Sequence, residues 1–271
     1  MLEDKLYWEN TGDRYKKYAG AMPRAGRLAR RCVRYTQRAA LEDFQGLLQG
    51  KRILEVGCGT SYWFDYFNKW GASNVCGIDI SRAMLRTSGC NRVAEASATE
   101  LPFAGGSFDV VLAISVLEHL TNVEDVKKAI SEIARVLNEG GHAICLELSW
   151  PYAVSLFAPQ LSIPKKEWET MFRESGLDII RVRPVNPSFT KYMFGLLTYR
   201  LAKLITKGRT KGVGEADKGS SLTSVTLRFY HLANDIVSVP TLIFLKIAKV
   251  LWPRLSSHWI FVLRKTTVKK A

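Results

Sequence analysis

The chain has no cysteine pair spaced CxxC, no lysine-tipped phosphate loop and, between Arg14 and Arg38, no acidic side chain. Nor does any stretch reach the roughly 18 consecutive apolar residues that a membrane-spanning helix needs. The five cysteines, Cys32, Cys58, Cys76, Cys90 and Cys145, are odd in number, and three of them (Cys58, Cys76, Cys145) fall in or beside apolar runs. That pattern argues against a disulfide framework and a structural zinc site, and predicts a reduced, intracellular protein. The opening residues MLEDKLYWENTGDRY lack the apolar centre of a signal peptide. A cytoplasmic location is expected, with peripheral attachment to the inner face of a membrane left open.

What is present is an ordinary globular composition, 47% hydrophobic and 11% aromatic over 271 residues, enough for one sizeable core with an elaboration. The formal charge of +14 is unevenly placed. Residues 52–150 sum to a net negative charge, while the segments before residue 52 and after residue 185 are basic. The positive charge therefore belongs to additions around a mildly acidic centre.

Short β-branched runs alternate with helical patterns through that centre. RILEV (52–56) and NVCGIDI (74–80) flank a helical stretch carrying Trp63, Phe64, Phe67 and Trp70. A helix from about Ser81, a short strand over 92–95 and the buried strand FDVVLAIS (108–115) follow. The next helix is marked by Asn122 as N-cap, Asp125 three residues on, apolar Val126, Ile130, Ile133 and Leu137, and Gly140-Gly141 as its stop. Further strands are expected over 142–148, 177–183 and 258–265, with a helix from Pro164 to Gly176. Such alternation predicts an α/β fold with a doubly wound, mostly parallel sheet covered on both faces.

Four segments result: a basic helical arm over 1–45, an α/β core over 46–185, a basic amphipathic helical insertion over 186–257, and a final core strand with a basic tail over 258–271. Within the arm, Arg24, Arg27, Arg31, Arg34 and Arg38 are spaced to form one stripe on a helix, which reads either as a solvated face or, because like charges at that spacing repel, as a face for an anionic ligand or surface. Within the insertion, residues 189–207 and 239–252 pair apolar faces with lysines and arginines. Such faces suit an anionic membrane surface, and equally a lid over a substrate.

The turn after the first strand, LEVGCGT, narrows the ligand. It has no GK[ST] for a nucleoside triphosphate, and Tyr62 stands where a dinucleotide fingerprint would place its third glycine. What remains is Glu55 at the strand end, Gly57 and Gly59 permitting close backbone approach, and Asp79, twenty residues past Gly59, at the end of the second strand. A carboxylate there can accept hydrogen bonds from both hydroxyls of a ribose. Glu55 and Asp79 also suit the N-termini of helices.

In order along the chain, LEVGCGT, GIDIS, ELPFAGGSFDVV, VLEHL and RVLNEGGH resemble the class I S-adenosylmethionine-dependent methyltransferases, most nearly those that act on quinones and sterols. The resemblance covers about residues 50–150 and implies a Rossmann-like, seven-stranded sheet and S-adenosyl-L-methionine as cofactor. By that resemblance Gly57, Cys58 and Gly59 lie against the methionine moiety and Glu55 holds the turn and the amino group. Asp79 takes the ribose hydroxyls, Ile80 packs on the adenine, and Ser97, Ala98 and Thr99 border it. Ile114 and Ser115 face the sulfonium. Ser97 departs from the aspartate usual in relatives.

His119, directly after the fourth strand, is the candidate catalytic base for an acceptor that must lose a proton; a histidine bonded to its own loop is the other reading. Some quinone O-methyltransferases hold a divalent ion through ExxEH, but here Ser115 takes the first position, so no metal site is expected. Three functions stay open: methyl transfer to a small apolar or lipid-like acceptor near a membrane, modification of RNA through the basic stripe, and a non-catalytic methyltransferase-like subunit. The apolar faces of the insertion favour the first, because nucleic acid needs none.

Overall fold

A computed structural model of the chain describes residues 2–14, 27–149, 161–185 and 258–266. The insertion over 186–257 and Arg24 lie outside the described residues.

Seven strands form one sheet: β1 (Arg52–Val56), β2 (Asn74–Asp79), β3 (Val93–Glu95), β4 (Phe108–Ile114), β5 (Leu137–Leu148), β6 (Leu177–Pro184) and β7 (His258–Lys265). Their order across the sheet is β3-β2-β1-β4-β5-β7-β6. The pairs from β3 to β5 are parallel, and β7 runs antiparallel between β5 and β6. Among the described residues six α-helices accompany them: α1 (Leu2–Arg14), α2 (Arg27–Glu42), α3 (Phe64–Lys69), α4 (Arg82–Ser88), α5 (Val123–Val136) and α6 (Lys165–Glu174).

The sheet is covered on both faces, which is why its central strands are almost wholly apolar. Side chains alternate faces along a strand. Leu54, Val56, Val111, Ala113 and Phe261 face α5 and α6, meeting Ile130, Ile133, Trp168 and Phe172. Ile53, Val75, Val110, Leu112 and Val262 face the opposite layer, meeting Ala40 and Leu41 of α2, Phe44, and Phe64 and Phe67 of α3. The arm is thus not wholly a solvated face, since α2 buries one side on the core and leaves Arg31 exposed on another.

Local chemistry sets the element ends. The Asn122 side chain accepts a 2.8 Å hydrogen bond from Asp125 N and starts α5, a cap contributing about 1 kcal/mol. The helix ends at Val136, four residues before the glycine pair that the sequence pattern offers as its stop. Leu137 is already extended (φ −69°, ψ 140°), and Gly140 and Gly141 fall inside β5. Leu137 instead pairs with Phe108 of β4, so the chain enters the sheet there, and the glycine pair serves close packing: a Cβ on Gly141 would lie 2.9 Å from Asn138 O and 3.0 Å from Asp109 O.

The strand order reverses between β1 and β4. In open α/β sheets that switch point opens a crevice at the carboxyl ends of the strands, and Glu55, the glycine turn, Asp79, Ile114 and His119 lie at or just past those ends.

Candidate active site

The turn after β1 is built for close approach. Gly57 and Gly59 have φ of +68° and +52°, and a Cβ on Gly57 would stand 2.4 Å from Val116 Cγ2. Cys58 N donates to Ile78 O at 2.9 Å and fixes the turn on β2. The close approach that a third glycine would give the following helix is supplied instead by Gly77 of β2, where a Cβ would meet Cys58 Cβ at 2.7 Å and Phe64 Cζ at 2.9 Å. The Cys58 thiol is buried, and burial first, then the nearby Glu55 and Asp79 charges, push its ionisation far up. It is therefore a packing group and not a nucleophile.

Asp79 ends β2 with both oxygens engaged: Oδ2 accepts from Gly59 N and Oδ1 from Ser81 N, each at 2.8 Å. One carboxylate thus ties the glycine turn to the start of α4. Burial pushes it up to about 6, against the opposing pull of those amides. Glu55 is buried with Oε2 lacking any partner, and burial, then the charge of Asp79, raise it well above the usual carboxylate range. Thr60 Oγ1, on the same turn, is likewise buried without a partner. Polar atoms that are buried and unmatched call for a ligand or water, and here they gather around two glycines.

Ile80 is half-buried beside Asp79. In the loop after β3, Ala98 is buried, while the Ser97 hydroxyl lies 2.8 Å from Thr99 Oγ1 and accepts from Thr99 N at 3.2 Å. Ser97 therefore organises its own loop, which an aspartate carboxylate at that position could also do. Ile114 is buried at the end of β4, and Ser115 follows in the left-handed region (φ +53°), a conformation costly for a non-glycine residue. Gln37 of α2 reaches across to Ser115 Oγ at 3.3 Å.

Beyond Ser115 a single 3-10 turn, Leu117–His119, carries Glu118 and His119. His119 Nε2 lies 3.7 Å from Glu118 Oε1, and the His119 ring meets the Trp8 ring edge-on with centroids 5.0 Å apart. Glu118 is 1% exposed, and its Oε2 accepts from Leu148 N. Glu147 of β5, fully buried, accepts from Glu118 N at 3.2 Å through Oε2 and leaves Oε1 without a donor. Burial pushes Glu118 up to about 7, and burial together with the Glu118 charge pushes Glu147 well above the carboxylate range. No group of three His, Cys, Asp or Glu side chains able to hold a metal ion occurs among the described residues.

The site also takes in residues that sequence reasoning missed. Helix α1 crosses the carboxyl ends of β3, β2 and β4: Lys5 pairs with Glu95 at 2.5 Å, Glu9 accepts from Arg82 N at 2.6 Å and Ala83 N at 3.0 Å, and Trp8 reaches His119. The one signal for Glu147 was a carboxylate inside the apolar run HAICLEL, where an unpaired charge is costly. Of the arginine stripe, Arg34 lies over the Tyr62 ring at 3.8 Å and Arg38 sits 3.2 Å from Glu42, so part of that stripe is held by the protein itself.

A doubly wound sheet with a glycine turn, a ribose-type carboxylate and unmatched polar atoms at its switch point defines a nucleoside-binding α/β protein. The family described as Methyltransferase domain matches residues 54–145. The demethylmenaquinone methyltransferase of Staphylococcus aureus (strain JH9) is 30% identical over 177 residues, covering 51% of this chain and 72% of that protein. The protein of the same name from Lactococcus lactis subsp. lactis (strain IL1403) is 35% identical over 147 residues, covering 50% of this chain and only 54% of the relative. An S-adenosylmethionine-dependent methyltransferase from Mesorhizobium loti shares the fold, with a TM-score of 0.52 at 16% identity over 84% of this chain and 97% of that one. The chain belongs to the class I S-adenosylmethionine-dependent methyltransferases, and its cofactor is S-adenosylmethionine. Within that class its likeness is to the quinone type.

Proposed function

We propose that the protein transfers the methyl group of S-adenosylmethionine to a small apolar or lipid-like acceptor, of the quinone kind named in its relatives, with His119 as the base. The observation that carries this reading is the crevice itself, which brings His119, Asp79 and the glycine turn to the same end of the sheet.

S-adenosylmethionine supplies an electrophilic methyl carbon on a sulfonium, and such a displacement needs alignment more than covalent help. In this reading Asp79 holds the ribose hydroxyls, Glu55 and Thr60 use their unmatched oxygens toward the methionine end, and Ile80 and Ala98 border the adenine. Gly57 and Gly59 let the backbone come close. Ser115 and Ile114 shape the floor where the two substrates meet. His119 takes the proton of a ring hydroxyl, raising the electron density of the acceptor at the attacking atom. Trp8 and α1 shield that corner from water. Among the described residues no helix is long and apolar enough to cross a membrane. An acceptor with an isoprenoid tail fits instead with adsorption to an anionic lipid surface, supported by exposed Arg31 and by the apolar and basic sequence of the insertion.

The test is incubation with methyl-labelled S-adenosylmethionine and a short-tailed demethylmenaquinone in reduced form, followed by organic extraction. Label is expected in the quinone, and His119→Ala should lower its rate about a hundredfold with cofactor affinity unchanged. Absence of label from the quinone and from a host lipid extract, with label in RNA, overturns the acceptor class.

A further inference from the structure

Behind His119 the fold buries two glutamates that no cofactor contact requires. Glu118 and Glu147 come from different elements, the 3-10 turn and β5, and both are almost completely shielded from solvent. The Glu118 N–H donates to Glu147 Oε2 and the Leu148 N–H to Glu118 Oε2, so the backbone fixes one oxygen of each carboxyl group and ties the 3-10 turn to the end of β5. Glu147 Oε1 nevertheless remains buried with no fixed N–H to serve it. Two bare carboxylates in such a place repel each other and leave that oxygen unmatched; one proton between them removes both costs. A single negative charge then remains, and the His119 imidazole stands 3.7 Å from Glu118 Oε1.

Resting on the methyl-transfer reading above, we infer that Glu118 and Glu147 share one proton and act as a single buried counter-charge that positions His119 and stabilises its imidazolium. Among the described residues, the titratable groups facing the pair are His119 on the same turn and the Cys145 thiol two residues before Glu147 in β5. Around it Trp168 of α6 donates Nε1 to Leu148 O at 3.0 Å, and Trp8 of α1 closes the outer side of the imidazole.

Nε2 is the ring nitrogen turned toward Glu118, 3.7 Å from Oε1, so in this proposal Nδ1 receives the acceptor's proton. The acceptor's freed electron pair makes the bond to the methyl carbon, the carbon–sulfur bond breaks with its electrons left on sulfur, and a ring carbon so methylated gives up its own hydrogen as a proton that returns to the ring oxygen. The imidazolium finally gives its proton to water. Glu118 and Glu147 touch neither substrate; they are positioning residues. Burial that pushes Glu118 up to about 7 is consistent with a proton kept in the pair at neutral pH.

Two measurements test this. In wild-type protein near pH 7, difference infrared spectroscopy should show a protonated carboxyl stretch that Glu147→Gln abolishes; a spectrum unaltered by that change overturns the shared proton. In turnover with the reduced short-tailed demethylmenaquinone, Glu118→Gln should lower kcat about tenfold or more, with KM and cofactor affinity within about twofold. The acidic limb of its pH profile should move to lower pH, because an imidazole without its counter-charge releases its proton more readily. In a His119→Ala background the same change should cost nothing further. An equal loss in both backgrounds, or an unmoved limb, makes the glutamates structural only. If Glu118→Gln does not fold, Glu147→Gln, which leaves Glu118 ionised beside His119, should keep kcat within about twofold while losing the carboxyl stretch; a retained stretch overturns the pair. Full activity of His119→Ala would instead remove His119 from the proposed function while leaving the infrared result to judge the pair.

Discussion

Gly57→Ala is the most demanding single change this fold offers, because two independent costs fall on one methyl group. The residue sits at φ +68°, where an L side chain costs about 1–2 kcal/mol. The added Cβ would also stand 2.4 and 2.7 Å from the two γ-carbons of Val116 and 3.1 Å from its Cβ. Val116 cannot simply swing away, since it immediately precedes the Leu117–His119 turn. Overpacking of this kind adds about 1–3 kcal/mol, so the sum is about 2–5 kcal/mol. Urea denaturation should register that loss, and calorimetry should show weaker cofactor binding, since the turn shifts against the methionine end. The two costs separate in a double-mutant cycle: Val116→Ala should return the steric part in the Gly57→Ala background and leave the backbone part of about 1–2 kcal/mol. If Gly57→Ala is as stable as wild type, or if Val116→Ala returns nothing, the reasoning that joins this turn to Val116 is wrong.

Asp79→Ala should weaken S-adenosylmethionine binding by about 1–3 kcal/mol in calorimetry, through loss of charge-assisted hydrogen bonds. Because burial pushes Asp79 up to about 6, wild-type affinity should also fall as the pH drops below that value; affinity flat from pH 5 to 8 would contradict the ribose role. Folding stability should respond in the opposite sense. Glu118 is raised from 4.5 to about 7, so the native state binds the extra proton, and that contribution, full below about pH 4.5, is lost as pH rises to about 7. Urea midpoints should decline over this window, with Glu118→Gln flattening the slope. Asp109, held down to about 2 chiefly by its hydrogen bond from Arg52, acts below pH 4 in the reverse direction, its contribution vanishing as pH falls. Anionic vesicles should cosediment with the protein while neutral ones do not, and Arg31→Glu should reduce the binding; equal partition to both would dismiss the electrostatic surface.

The strands were legible because a sheet covered on both faces needs apolar runs, and RILEV and FDVVLAI are such runs. The cofactor turn was legible for a related reason, since few residues tolerate positive φ and close approach at once. Helix α1 as part of the crevice was not legible. Its sequence carries no clear apolar stripe, and its position rests on long-range partners, Glu95, the start of α4 and His119, that no local window contains. Gln37 was hidden in the same way, inside an arginine-rich stretch whose charge pattern drew attention to the opposite face. The early end of α5 goes with the pairing of Leu137 to Phe108, a residue on another strand, and no helix-stop pattern encodes that.

Helix α1 is fastened at two points of the crevice by different chemistry: a carboxylate on the backbone amides of Arg82 and Ala83, close after Asp79, and an indole against the imidazole of His119. A rigid displacement of that helix would undo both fastenings in one movement. On the proposed function, exchange of spent cofactor and exposure of the imidazole to water would then be tied to the same mechanical event.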